Sequence, residues 1–357
     1  VSSVQVLPVQ AGLSLTTRLA PCVAEVSAKA GAIDQGVHDL RECLSMLGAA
    51  ELLSLGAHGS GTLADQAFVI RTLARECLST AFATWAQRMT IGYLARWGSD
   101  ELQTQLLAEL ITGKRPGATA MATAFQDVLG LREVPITAEL QGDEVVLNGT
   151  IPWASNVFAD GAVVVLPARV KDGSRLIVAV TTDLAGIKLP PYPPLLALGS
   201  TASTSVRLTD VRVPSAWILT DRFTDFLGDV RPSFLLLQTA FCLGLTDAAL
   251  AGADGPFDGL ESVFVSDHRQ LMGERDALDA HHGVLLALDG PATDQHLRLR
   301  LAAGSLAVEA TRHESKVCGG AGYLATSPVA RRLREATFLP IQSPTEAQLR
   351  WELSRFV

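Results

Sequence analysis

The groups in this 357-residue chain best suited to chemistry sit in three short stretches. Asn148-Gly149-Thr150-Ile151-Pro152-Trp153-Ala154-Ser155-Asn156 sets an indole near a hydroxyl, beyond an Asn-Gly pair that supplies a positive-φ hairpin turn. Asp229-Val230-Arg231-Pro232 places a cation at the start of a long apolar run. Cys318-Gly319-Gly320-Ala321-Gly322-Tyr323 leads through Pro328 and Arg334-Glu335-Ala336 to Ile341-Gln342-Ser343-Pro344-Thr345. A hydroxyl or a backbone N–H can stabilise a developing anion. The Ser343 hydroxyl has no useful basicity unless a neighbour activates it.

Other chemistries find little support. There is no Gly-x-Ser-x-Gly and no phosphate-binding Walker sequence. The histidines are His38, His58, His268, His281, His282, His296 and His313, and none has metal-ligand spacing with a carboxylate partner. The adjacent rings of His281 and His282 would point about 100° apart on a helix, a poor chelate. Cys22, Cys43, Cys77, Cys242 and Cys318 form no Cys-x-x-Cys, which predicts reduced core thiols and no metal site. A net charge of −8 argues against nucleic acid or anionic membrane as a partner. No basic region followed by an apolar run opens the chain, and the window at 77–97 contains Arg88 and Arg96. A cytoplasmic protein without a membrane span is the expectation.

These groups must be held by three zones of different period. Helical spacing runs over 16–30, 36–55 and 63–94, and Ser99-Asp100-Glu101 opens a further helix that ends by 111. Six β-rich runs follow, at 118–125, 134–139, 144–148, 161–170, 176–181 and 203–213. Turn residues such as Gln141-Gly142-Asp143 and Lys171-Asp172-Gly173 separate them, which suggests a β-barrel or sandwich. Helical period then returns over 233–251, 262–288 and 294–317. The periodicity alone gives an α+β chain with segregated zones.

This order, together with the motifs, resembles the acyl-CoA dehydrogenases, a family of flavoenzymes. The resemblance covers nearly the whole chain after its first dozen residues. It implies an N-terminal helical domain over 1–116, a central β-barrel or sandwich domain over 117–219 and a C-terminal four-helix bundle over 220–357. It also implies FAD, an acyl-CoA-like substrate and a homodimer or tetramer. Ala120-Met121-Ala122-Thr123-Ala124-Phe125 is similar to the family's first β-strand, on which Thr123 would bond the flavin ring edge. Trp153 would lie against the flavin and Ser155 near its reactive nitrogen. Arg231 matches an arginine beside the active site. Lys316, Gly319 and Gly320 would meet the dinucleotide, and Thr345 falls in the same cofactor-binding set. Plainer alternatives stand beside these: a core strand at 118–125, a structural hairpin tryptophan at 153, and a helix-start arginine at 231.

The departures matter as much. The family carries Ile-x-Glu-Gly-Thr where this chain has Ile341-Gln342-Ser343-Pro344-Thr345, so Ser343 replaces the glutamate that removes the substrate α-proton. A second family position for that base falls near Val230. Glu346 and Glu335 are close in sequence, and Glu346 would reach the same cavity only through a different loop geometry. The break at 252–259 lacks the family's arginine and carries Asp254 and Asp258 instead. Three readings follow from the resemblance. One is an acyl-CoA oxidoreductase with a relocated base. Another is a flavin mono-oxygenase, using FMN or borrowed flavin. The third is a base-less subunit that pairs with a Glu-bearing paralogue and holds no flavin alone.

Overall fold

The computed structural model describes residues 13–356 apart from His58, Pro256 and Asp289. The reading of His58 therefore lies outside the described residues. Helices α1 (Leu15–Asp34), α2 (Leu40–Ala49), α3 (Leu63–Glu76) and α4 (Leu78–Trp97) come first. After them, α5 (Asp100–Leu102) and α6 (Ala108–Ile111) flank a π-helical stretch, Gln103–Leu107. Ser99 caps α5 by accepting a hydrogen bond from the Leu102 N–H, 3.2 Å away. The helical run at 63–94 is interrupted at Cys77, whose extended backbone separates α3 from α4.

The middle of the chain supplies β1 (Gly117–Thr119), α7 (Ala122–Val128), β2 (Ile136–Gln141), β3 (Glu144–Ala154), β4 (Val163–Val170), β5 (Arg175–Thr181), β6 (Ile187–Lys188), β7 (Thr204–Pro214) and β8 (Ile218–Thr220). The sheet order is β6-β7-β3-β2-β4-β5-β8, with β1 paired in parallel to β4. One apolar cluster gathers Val145, Leu147, Val206 and Val213 with Val164, Leu166, Val178 and Val180, so the sheet encloses its own core. The alternate residues Val163, Val165, Ile177 and Ala179 belong to the helical core instead. That two-sided burial explains why β4 reads as a nearly continuous apolar run rather than an alternating one.

The run at 118–125 does not form the expected strand. Pairing stops at Thr119, and residues 122–128 turn into α7. Ala122 and Ala124 favour helix, and no proline stands in the segment to oppose it. A salt bridge fixes the end of α7: the half-buried Arg175 guanidinium donates to both oxygens of the buried Asp127, at 2.7 and 3.2 Å.

The last third contains α8 (Phe223–Ala253), α9 (Val265–Leu286), α10 (Asp294–Gly322), α11 (Pro328–Ala336) and α12 (Glu346–Leu353). Arg231 was expected at the start of the long helix, but α8 begins eight residues earlier and passes through Pro232. α8 is long and apolar enough to cross a membrane, yet 83% of its most apolar window is buried inside the protein. It is a core helix. At its crossing with α3, a methyl on Gly244 would overlap the Arg71 carbonyl and lie 2.7 Å from the Ala74 Cβ. Gly244→Ala should therefore destabilise the protein by about 1–3 kcal/mol through overpacking. An unchanged urea midpoint would show that the two helices can separate freely.

Candidate active site

Asn148 and Gly149 do not form the expected hairpin turn: both lie inside β3, where Gly149, with φ 136°, accommodates a register shift against β7, and the β2–β3 turn falls at Gly142-Asp143 instead. Trp153 is 63% exposed and presents its indole beside the sheet. The buried Asn156 adopts a positive φ of 62° and staples the end of β3 in place. Its amide donates to the Ala83 carbonyl at 3.0 Å and to the Gly117 carbonyl at 3.1 Å. Asparagine tolerates this backbone conformation better than most residues.

Ser155 belongs to a chain of hydroxyls. Thr201 donates to the Leu198 carbonyl at 2.8 Å, so it must accept from Ser203, 2.8 Å away. Ser203 must then accept from Ser155 at 2.7 Å. The Ser155 proton thus points into the protein, and its oxygen offers only acceptor capacity outward. This side chain cannot donate to a flavin nitrogen while that chain of bonds persists.

The opposite wall differs from the expectation. Thr123 lies in the first turn of α7 and is buried, its hydroxyl 3.5 Å from the Ala120 carbonyl. It presents no strand edge to a ring. Phe125 is buried against Phe234 of α8, with ring centroids 5.1 Å apart. The Arg231 guanidinium lies over the same Phe125 ring at 5.3 Å. Arg231 also forms an ion pair with Glu352, a buried residue of α12. Gln348 donates to the other Glu352 oxygen at 3.0 Å.

Ser343 sits on the loop before α12. Its carbonyl accepts from Gln238 at 2.9 Å, while its hydroxyl oxygen is buried without a hydrogen-bond partner. Gln238 in turn accepts from Arg300 at 3.0 Å, and Arg300 also donates to the Leu339 carbonyl and Gln342. Arg300 is 1% exposed and, among the described residues, has these neutral acceptors and no carboxylate partner while it organises the loop. Thr345 serves as the cap of α12, accepting from the Gln348 N–H at 3.2 Å. The alternative base Glu346 instead pairs with Arg350 at 2.7 Å. Glu335 is taken up elsewhere, bonded to the Leu78 N–H and Arg331.

Lys316, Gly319 and Gly320 are exposed at the far end of α10. Gly319 has φ 55° and breaks the helix, and no atom lies within 4 Å of a Cβ placed on either glycine. The Cys318 thiol approaches the Gly252 carbonyl at 3.6 Å, which ties this end to the end of α8. Arg231 and Gly252 are separated by about 30 Å along α8 at 1.5 Å per residue. The predicted residues therefore do not converge on one place within the chain: Arg231 is paired with Glu352, Ser343 is tied to Gln238 farther along α8, and Lys316 with the two glycines lies toward the end of α8.

As folded, the chain alone does not fit a flavin. Trp153 suits one face of a ring, but α7 replaces the strand edge, Phe125 fills the approach to Arg231, and the Ser155 proton is turned away. Sequence reasoning missed Glu352, Phe125, Gln238 and Arg300. The one available signal was the Gln348–Glu352 spacing, which puts both side chains on one face of α12.

Comparison with known proteins converges on one family. Residues 14–114 match the family described as acyl-CoA dehydrogenase, N-terminal domain. The chain is 28% identical to the probable acyl-CoA dehydrogenase YngJ of Bacillus subtilis, over 84% of this chain and 83% of that protein. It is 25% identical to the probable acyl-CoA dehydrogenase fadE25 of Mycobacterium leprae, over 93% and 91% of the two chains. Among solved structures, butyryl-CoA dehydrogenase from Megasphaera elsdenii superposes with a TM-score of 0.82 at 18% identity, covering 96% of this chain and 98% of that one. The helix–sheet–helix order and these matches agree in one direction: the chain is similar to acyl-CoA dehydrogenases along nearly its whole length, and residues 14–114 match that family's N-terminal domain.

Proposed function

We propose that this chain serves the flavin-dependent oxidation of an acyl-CoA as the subunit that lacks its own proton-abstracting carboxylate. The observation that carries this reading is the environment of Arg231. Its guanidinium is paired with Glu352 and covered by Phe125, and in the sequence Ser343 falls where the family's glutamate does. Removal of an α-proton needs a carboxylate within hydrogen-bond reach of that carbon. In this reading FAD is shared with a Glu-bearing paralogous chain in a cytoplasmic dimer or tetramer. Trp153 offers one wall, and Lys316 with the open Gly319-Gly320 end offers a phosphate contact to the neighbour's dinucleotide.

The test is a visible absorption spectrum of the purified chain, alone and co-expressed with a Glu-bearing family member. The expected result is little bound flavin alone, and coloured, acyl-CoA-bleachable protein from the pair. Rapid bleaching of flavin by an acyl-CoA with this chain alone would sink the proposal.

A second reading rests on Glu352. It is a buried carboxylate beside the arginine expected next to the base, and it would act if Phe125 swung away. Under this reading Glu352→Gln should lower flavin reduction in the assembled protein by roughly 100-fold or more, the scale of a lost general base. Unchanged reduction in that variant would leave Glu352 as the structural partner of Arg231.

A further inference from the structure

The connection between β6 and β7 carries a run that the site above does not use. β6 ends at Lys188, and the chain then reads Leu189-Pro190-Pro191-Tyr192-Pro193-Pro194. The run is neither helix nor strand, and its four prolyl bonds are trans. Proline fixes φ near −65°, and a residue before proline is pushed to an extended ψ. Leu189, Pro190, Tyr192 and Pro193 each precede a proline. Local sterics therefore favour a polyproline II helix, roughly 19 Å long at about 3.1 Å per residue.

Such a helix has three residues per turn and so three edges. One edge is taken by the protein itself. Leu189 packs against the core of the sheet, and one turn later the Tyr192 hydroxyl donates to the Val157 carbonyl at 3.1 Å. The other two edges are Pro190 with Pro193 and Pro191 with Pro194. Of these prolines, Pro190, Pro191 and Pro194 are exposed. The segment is thus tethered along its back and offers two proline edges already ordered for a partner.

Charge marks one end. Lys188 stands directly opposite Arg207 of β7, and both are exposed. Neither has a carboxylate within ion-pair distance among the described residues. Like charges directly opposite each other weaken a ladder, so this pair does nothing for the sheet. Lys188 also falls one turn before Pro191 on the same edge, giving cation-x-x-Pro-x-x-Pro over 188–194.

We propose that this face docks a protein domain of the SH3 kind. Its aromatic-lined groove takes the two proline edges, and carboxylates at one end of the groove meet Lys188 and Arg207. The surface takes no part in the reading given for Arg231 and Ser343.

Surface plasmon resonance of the full chain over an immobilised SH3 domain, chosen to take cation-x-x-Pro-x-x-Pro ligands, tests the proposal. The reference surface is the same domain with its groove tryptophan replaced by alanine. Saturable binding to the intact groove alone is expected. The double variant Pro191→Ala/Pro194→Ala should weaken it by at least about tenfold, since one edge is removed and the ordering is lost. Lys188→Glu should weaken it roughly fivefold, the scale of an exposed ion pair. All three side chains are exposed, and matching thermal melts would confirm that the variants are folded. No binding to the intact domain, equal binding to the altered one, or full affinity in the double variant would overturn the docking. Full affinity in Lys188→Glu would overturn the assignment of an acidic end.

Discussion

Arg332→Ala is expected to destabilise the protein by roughly 3–5 kcal/mol, the cost of stripping a buried carboxylate of its cation. The carboxylate is Glu314 of α10, which is 0% exposed on its side chain. Arg332 of α11 donates to it through two N–H groups, one of them at 2.9 Å. Gly252 at the end of α8 passes directly over the pair, and any side chain there would strike the Glu314 carboxylate. The double variant Glu314→Gln/Arg332→Met should recover most of the loss, because it removes the charge together with its partner. Urea midpoints measure both. A single variant within 1 kcal/mol of the parent would mean that Glu314 reaches solvent or another cation.

Glu335 is expected to make stability fall with rising pH. Burial holds its carboxyl proton on, raising the pKa from 4.5 to about 7 against the opposing pull of Arg331, with Asp34 adding to the rise. The Leu78 N–H and Arg332 oppose it more weakly. Cys77 lies in the same buried cluster, and burial with the Glu335 charge keeps its thiol protonated. One Glu335 oxygen has no hydrogen-bond partner, which fits a protonated acid in a dry site. Between about pH 4.5 and 7 the folded chain holds a proton that the unfolded chain has lost. The stability from this group is therefore complete below the unfolded pKa, declines as pH rises, and is gone above about 7. The total change is on the order of 3 kcal/mol. Glu335→Gln keeps the shape without the titration. Its stability relative to the parent should rise from pH 5.5 to pH 8, read from urea midpoints at each pH. A constant difference across that range would show that Glu335 is ionised throughout.

Much of the architecture was readable because the sequence pattern and the burial pattern coincide. The runs at 161–170 and 176–181 became β4 and β5 nearly as bounded, since each feeds one or two apolar cores. The Ser99 cap is local chemistry and needs no long-range partner, whereas the Asn148-Gly149 pair, expected as a turn, is held inside β3 by its pairing with β2 and β7. The segment 118–125 went wrong because its apolar residues fit either a strand or a helix, and the choice depends on Phe234 and Arg175 far away in sequence. The site was less legible for the same reason. Ser343 was identified by what it replaces, but Glu352 gains meaning only when α12 folds back onto Arg231. Nor does the order of letters show that Ser203 and Thr201 set the direction of the Ser155 proton.

The long helix α8 bears on how the chain is made. It emerges from the ribosome with enough apolar surface to be mistaken for a membrane segment. Two of the helices that cover it, α3 and α4, precede it in the chain, while α10 follows. One side of α8 can thus be sheltered as soon as it is synthesised, and the side facing α9, α10 and α11 must wait. The early helices act as a built-in holding surface for the nascent chain, which shortens the interval in which its most aggregation-prone element stands bare.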